Sequence, residues 1–188
     1  MKKKRLKYLF FGFFFIGILI ANLFGKEKLA QFGIFNNYYL QQFEYAQIDE
    51  TDLFLYIVRE RLPVLGFLVL FGMTEFWYPM HLLFVAWNGG AIGFLFVSAL
   101  SNLGVKGILL VVLSLIPQYI FYVLMYLLLF ELQGMQHGEA GNGFSGGKIK
   151  HKGKYLVGFG IILLFAVFGI LTETYINPFL MKNIIKLF

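Results

Sequence analysis

A polar stretch of the chain contains the nearest match to a catalytic motif. Gly143-Phe144-Ser145-Gly146 spells GxSG, the pattern around the nucleophilic serine of intramembrane proteases, and His137 and His151 stand nearby. Such a serine must begin a helix within the membrane and face a histidine of another transmembrane helix. Here the serine and both histidines share one glycine-rich stretch. We therefore expect a flexible connector, because short motifs often match by chance.

Other catalytic and cofactor chemistries lack their residues as well. The chain has no cysteine, which excludes disulfides, thiolate metal sites and cysteine nucleophiles. Its three histidines, of which His81 is the third, are scattered and form neither a zinc triad nor an HExxH helix. There is also no GxxxxGK[ST] phosphate-binding loop. We predict no catalytic residues, no metal and no cofactor, and thus a protein that is not an enzyme.

The composition is that of a protein dissolved in lipid. Of its 188 residues, 59% are hydrophobic and 14% are charged, whereas soluble domains have about 45–50% and about 25%. The net charge of +6 arises from basic residues that cluster at the ends of apolar blocks. This clustering indicates membrane topology rather than nucleic-acid binding. We therefore predict an all-α integral membrane protein with membrane lipid as a partner and no nucleic acid.

Five apolar blocks are predicted to be transmembrane helices, for which about 20 residues cross ~30 Å of hydrocarbon. The first block is too long for a signal peptide and lacks small residues at its end, so we expect it to remain uncleaved. Pro117 lies within the fourth block and should kink it. The chain is predicted to be a single membrane domain, 1–188, with helices at 6–25, 62–77, 80–104, 105–131 and 155–176.

The basic residues predict the orientation in a bacterial cytoplasmic membrane. Lysines and an arginine precede the first block, and four further lysines lie in the Gly/Lys-rich stretch 133–154. Both regions should be cytoplasmic by the positive-inside rule. The segment 27–61 and the carboxyl terminus are then outside. We call that side the outer side.

The outer segment is not a plain linker. Apolar residues recur in it at steps of three and four, as on one face of an amphipathic helix, and an acidic cluster then offers N-cap groups for a second helix. We predict an outer helical hairpin, and beyond Asn177 and Pro178 an interfacial helix at 178–188. The apolar face either packs on the chain's own helices or binds an external partner. Candidate docking residues are Phe32, Phe35, Tyr39, Phe43, Tyr56, Arg59 and Arg61.

Polar and small residues within the spans are candidates for helix packing or for an intramembrane site. Glycines let helices approach closely, and an amide can bond across such a contact. An acid at membrane depth is costly, so Glu173 should need a partner such as Arg59 or Arg61. The full set is Glu75, Asn88, Gly89, Gly90, Gly93, Pro117, Gln118, Glu173, Asn177 and Pro178.

Several short motifs resemble a known family. They are Tyr56-Ile-Val-Arg-Glu-Arg-Leu62, Trp87-Asn88-Gly89-Gly90-Ala91-Ile92-Gly93-Phe94, Ile116-Pro117-Gln118 and Glu173-Thr174-Tyr175-Ile176-Asn177-Pro178-Phe179. In this order they resemble the stage II sporulation protein M family of multi-pass bacterial membrane proteins. The resemblance implies a scaffold that assembles exported peptidoglycan-degrading enzymes during forespore engulfment. It also implies extracytoplasmic or membrane-anchored cell-wall hydrolases as partners, and leaves a homo-oligomer open.

Three function classes remain, and a membrane hydrolase is the third after the two that follow. A non-enzymatic scaffold for peptidoglycan remodelling accounts for the outer hairpin and for the lack of a catalytic motif. A permease-like subunit or small transporter accounts for Pro117 and the membrane acids, since broken helices often line substrate sites. A transporter needs a polar path to the midplane, whereas a scaffold can have a dry bundle.

Overall fold

The computed structural model describes residues 2–31, 37–140 and 152–186. Within these ranges the chain is helical apart from short turns and contains no strand. The described helices are α1 (Lys2–Gln31), α2 (Asn37–Tyr45), α3 (Glu50–Gly72), α4 (Trp77–Leu103), α5 (Val105–Ala140), α6 (Lys152–Leu171) and α7 (Asn177–Ile185), with a π-helical turn at Thr172–Ile176 between α6 and α7.

Four described segments are long and apolar enough to cross a membrane: Lys4–Gly25, Trp77–Leu103, Val105–Gly138 and Tyr155–Ile185. The chain is thus all-α with the helices of a multi-pass membrane protein, as predicted. Helix α3 is not in this set because the charged residues Arg59, Glu60 and Arg61 interrupt its apolar sequence.

The first predicted span ends where the backbone leaves the helix. Gly25 has φ 75° and ψ 156°, a conformation that glycine adopts without steric cost. The following residues to Gln31 are helical again and belong to the predicted outer segment.

The connection between α3 and α4 differs from the prediction. The chain turns at residues 73–76, and α4 begins at Trp77, so Pro79 lies in the first turn of α4. A proline costs no hydrogen bond there. The turn is stabilised by Thr74, whose hydroxyl donates to Phe71 O at 2.8 Å and accepts from Phe76 N at 3.3 Å.

Helix α5 begins after a one-residue turn at Gly104, which has φ 62°. It runs through Pro117 and continues to Ala140, beyond the predicted end at residue 131. The first part of the stretch 133–154 is therefore helical, residues 141–151, including Ser145, lie outside the described residues, and α6 begins at Lys152.

The predicted break at Asn177 and Pro178 is absent. Asn177 has helical φ and ψ of −62° and −48°, and its N–H bonds to Thr172 O. This i→i−5 bond inserts one residue into the helix just before Pro178, which has no N–H to donate. The side-chain oxygen of Asn177 is buried without a hydrogen-bond partner in the described part of the chain, so it does not cap a helix.

The chain divides into two compact units. Unit 1 comprises Met1–Asp49, Tyr78–Leu115 and Pro178–Phe188, and unit 2 comprises Glu50–Trp77 and Ile116–Asn177. In unit 1, apolar residues of α2, α4, α5 and α7 form one buried cluster, Leu40, Ala99, Leu110, Val111, Ile184 and Ile185.

Candidate functional site

An ion pair in unit 2 joins α3 to the π-helical turn. Arg61 donates to both carboxylate oxygens of Glu173, from Nε at 2.9 Å and from Nη2. The hydroxyl of Tyr122 on α5 donates to the same carboxylate at 2.6 Å, and its ring centroid lies 5.2 Å from the guanidinium carbon. The Glu173 side chain is 14% exposed and that of Arg61 is 42% exposed. Glu173 therefore has three charge-balancing or polar donors in a nearly buried position.

Helix periodicity places Arg61 at this contact. The buried residues of α3 include Ile57, Leu65 and Leu68, and Arg61 follows Ile57 by one helical turn on the same face. Glu173 lies within the π turn, a feature that often occurs at functional positions of helices.

Gly169 on α6 makes room for the third member of the cluster. A Cβ atom at Gly169 would lie 2.5 Å from a carbon of the Tyr122 ring. Only glycine therefore lets this ring lie against α6 in its present position, from which its hydroxyl reaches Glu173.

Two members of the cluster lie inside apolar segments. Tyr122 is near the middle of the segment Val105–Gly138, and Glu173 is inside the segment Tyr155–Ile185. An unpaired charge at the centre of a membrane costs about 2.5–3.5 kcal/mol or more. From the sequence we expected Glu173 to pair with Arg59 or Arg61, and Arg61 makes the contact. The arrangement saturates the carboxylate and offers neither a nucleophile nor a free base.

A second polar cluster lies at the carboxyl end of α3. Gln133 on α5 donates to Leu68 O at 3.1 Å, and His137 Nε2 lies 2.8 Å from Gly72 O. The Trp77 ring stacks on that of His137, with centroids 5.2 Å apart and planes 9° apart. Because the last carbonyls of a helix lack intrahelical partners, these side chains stabilise the end of α3. We did not predict a role for Gln133 and His137 from the sequence, although their spacing of four residues indicates one helical face.

The predicted glycine contact is present in unit 1, between α1 and α4. A Cβ atom at Gly89 would lie 2.5 Å from Phe10 O, and one at Gly93 would lie 2.1 Å from Phe14 O. Gly90 is less crowded, because a Cβ atom there would be 3.7 Å from its nearest neighbour. These glycines serve backbone-to-backbone packing.

Polar residues predicted to bridge helices behave differently. Asn88 donates to Phe84 O of its own helix at 2.8 Å and not across the glycine contact as we expected. Gln118 is buried, and Glu75 is exposed in the turn between α3 and α4.

The candidate docking residues have separate environments. Phe43 packs against the buried cluster of unit 1, so packing on the chain's own helices describes this part of the apolar face. Tyr56 and Arg59 are exposed on α3, and Arg61 is in the ion pair. Phe32, Phe35 and the side chain of Tyr39 lie outside the described residues.

The opposite face of α2 is open. Tyr45 is 81% exposed, and it borders an open depression of about 550 Å³ together with Gln41, Gln42 and Ala46. Tyrosine is one of the residue types that are enriched at protein interfaces. Among the described residues, no group of three or more His, Asp or Glu side chains could hold a metal ion.

Comparison of the chain with protein-family models, with curated proteins and with solved structures finds no match. The functional conclusion therefore depends on the residues and their geometry.

Proposed function

We propose that the chain is a non-enzymatic membrane scaffold that presents an outer surface to an exported or membrane-anchored cell-wall hydrolase. The hydrolase is the partner implied by the sequence resemblance to the stage II sporulation protein M family, and sporulation is one setting for it. The alternative is a permease-like subunit or small transporter.

The hydrogen bonds of polar side chains in the apolar helices favour the scaffold over the transporter. Several of them donate to a carbonyl three or four residues earlier in their own helix. This leaves them engaged in helix structure, whereas a permeation path needs polar groups directed towards a lumen. The side chains are those of Asn22, Asn88, Ser114, Thr172 and Thr174.

The scaffold is proposed to cross the membrane five times, with α3 as the additional crossing. Phe10 of α1 faces Gly89 of α4, and Phe14, four residues later, faces Gly93, also four residues later. Helices α1 and α4 therefore run in the same direction. The chain must then return across the membrane between them, and α3 is the long described helix in that interval.

The direction of α3 supports the same topology. Three contacts join α3 to α5: Arg61 with Tyr122, Leu68 with Gln133, and Gly72 with His137. Residue numbers rise in the same order along both helices, so α3 is parallel to α5. Helix α5 is antiparallel to α4, since the two are joined by the turn at Gly104 and pack through Ala99 and Gly107. Taken within each unit, these directions support the proposed alternation of crossings.

The proposed outer surface includes α2 and α7. Leu40 of α2 shares a buried cluster with Ile184 and Ile185 of α7, and Lys182 donates to Ala46 O at 2.8 Å. Elements in contact outside the hydrocarbon must lie on the same side, as the topology requires. The exposed side of α2, with Tyr45, is the face we propose for the partner.

The proposal is tested by site-specific photo-crosslinking in native membranes. A photoreactive residue replacing Tyr45 should give an adduct whose partner degrades peptidoglycan after purification. The same residue replacing Leu40, which is 6% exposed in the same helix, should give none. A Tyr45→Ala variant should accumulate normally and lose the partner, since an aromatic hot spot contributes about 2 kcal/mol, or roughly thirtyfold in affinity. Equal adducts at both positions, or solute uptake by the purified chain in liposomes without any adduct, would favour the transporter.

A further inference from the structure

Helix α3 is too short in apolar sequence to cross a membrane by itself. The stretch 62–72 is apolar but rises only about 16 Å at ~1.5 Å per residue, roughly half of the ~30 Å of hydrocarbon. A full crossing must also include the turn that carries Arg59, Glu60 and Arg61. A charged turn at that depth opposes insertion.

The ion pair with Glu173 reduces the cost of placing one of these charges, that of Arg61, in the membrane. Arg61 and Glu173 each neutralise the other, and Tyr122 supplies a further donor to the carboxylate. Arg59 is exposed, as Arg61 is, but it has no contact with Glu173 among the described residues. A long exposed side chain can extend its charge towards the interface, whereas the Arg61 head group is fixed at the contact.

The acidic partner of Arg61 is synthesised later than α3. Glu173 follows α6, which is synthesised after α3, α4 and α5. The charge that compensates Arg61 is therefore absent when α3 first meets the membrane.

We infer that the Arg61–Glu173 ion pair holds α3 across the membrane, so that the crossing of this helix depends on the later helix α6. The inference rests on the five-crossing topology proposed above. Without the ion pair, α3 and the turn at residues 73–76 remain on the outer side.

The test uses the full chain, which contains no cysteine. Thr74→Cys, in the exposed turn after α3, reports the side of that turn through labelling by a membrane-impermeant maleimide in intact cells. Labelling is normalised to the amount of chain in the membrane, and Gln41→Cys on exposed α2 is the reporter that should always be labelled.

With only Thr74→Cys present, we expect protection. Adding Arg61→Gln should raise the labelled-to-protected ratio by at least about tenfold, which corresponds to about 1.4 kcal/mol. Adding Arg59→Gln, the matched loss of one positive charge two residues away, should change it by less than about twofold. The exchange Arg61→Glu with Glu173→Arg should restore protection. Tyr122→Phe keeps all charges and should give an intermediate increase, which keeps the dependence measurable if Arg61→Gln is degraded.

The outcomes separate the two proposals. Labelling of Thr74→Cys in the otherwise unchanged chain would overturn the crossing of α3 itself. Protection there with equal effects of Arg61→Gln and Arg59→Gln, or without restoration by the exchanged pair, would leave the crossing in place and overturn its dependence on the ion pair.

Discussion

Within each of the two units of the chain, the helices make a different kind of close contact. In unit 1, α1 and α4 approach so closely that added Cβ atoms at Gly17, Gly89 and Gly93 would lie 2.1, 2.5 and 2.1 Å from carbonyl oxygens of the facing helix. In unit 2, the helices are joined by side chains that carry charge or donate to backbone, such as Arg61 and Gln133.

This difference has consequences for tolerance to substitution. A backbone contact leaves no space, so unit 1 should be sensitive to added atoms. A polar contact leaves a costly unpaired group when one partner is removed, so unit 2 should be sensitive to lost donors. The three predictions below test this contrast, beginning with the largest expected effect.

The glycine contact of unit 1 should not accept a single added methyl group. Gly93→Ala places a Cβ atom 2.1 Å from Phe14 O, and backbone cannot move aside as a side chain can. We expect a loss of about 1–3 kcal/mol, measured as a lower midpoint of thermal unfolding in detergent. Gly90→Ala is the matched control, because its Cβ atom would be 3.7 Å from the nearest atom. Equal midpoints for the two variants would contradict the close approach.

In unit 2, the loss of one donor should matter. Gln133→Ala removes the amide that donates to Leu68 O in a buried position, and the cost should be about 1–1.5 kcal/mol. Gln136→Ala removes an exposed amide from the same helix and is the control. If Gln136→Ala lowers the unfolding midpoint as much as Gln133→Ala, the contact with α3 contributes nothing.

The sequence predicted helix class better than it predicted where helices end, and it predicted five spans where four described segments are long and apolar enough to cross a membrane. The end at Gly25 was predictable because glycine, a charge and the end of the apolar run coincide there. The extension of α5 to Ala140 was not, because Gln133 and His137 gain their stabilisation from Leu68 O and Gly72 O of a distant segment. No local pattern carries that information.

The candidate site shows the same division. That Glu173 pairs with Arg59 or Arg61 could be expected in advance because a buried charge requires an opposite charge, but the choice of Arg61 could not. Tyr122 and Gly169 could not, since the fit of a ring against a glycine depends on the register between α5 and α6. A tyrosine hydroxyl inside an apolar block is nevertheless a signal, because such a group needs a hydrogen-bond partner.

Lys182 in unit 1 provides the last and smallest test, because it makes a polar contact in the unit where α1 and α4 meet through backbone. Its ammonium donates to Ala46 O just after the end of α2, where a cation is favourable. Leu40 and Phe43 already hold α2 against α4, α5 and α7, so the lysine should add little. We expect Lys182→Gln to speed hydrogen exchange in α2 about threefold, or about 0.6 kcal/mol, with no change for the exposed Lys186→Gln. An effect as large as that of Gly93→Ala would mean that unit 1 depends on polar contacts too, and the contrast between the units would fail. No difference between the two lysine variants would mean that apolar packing alone positions α2.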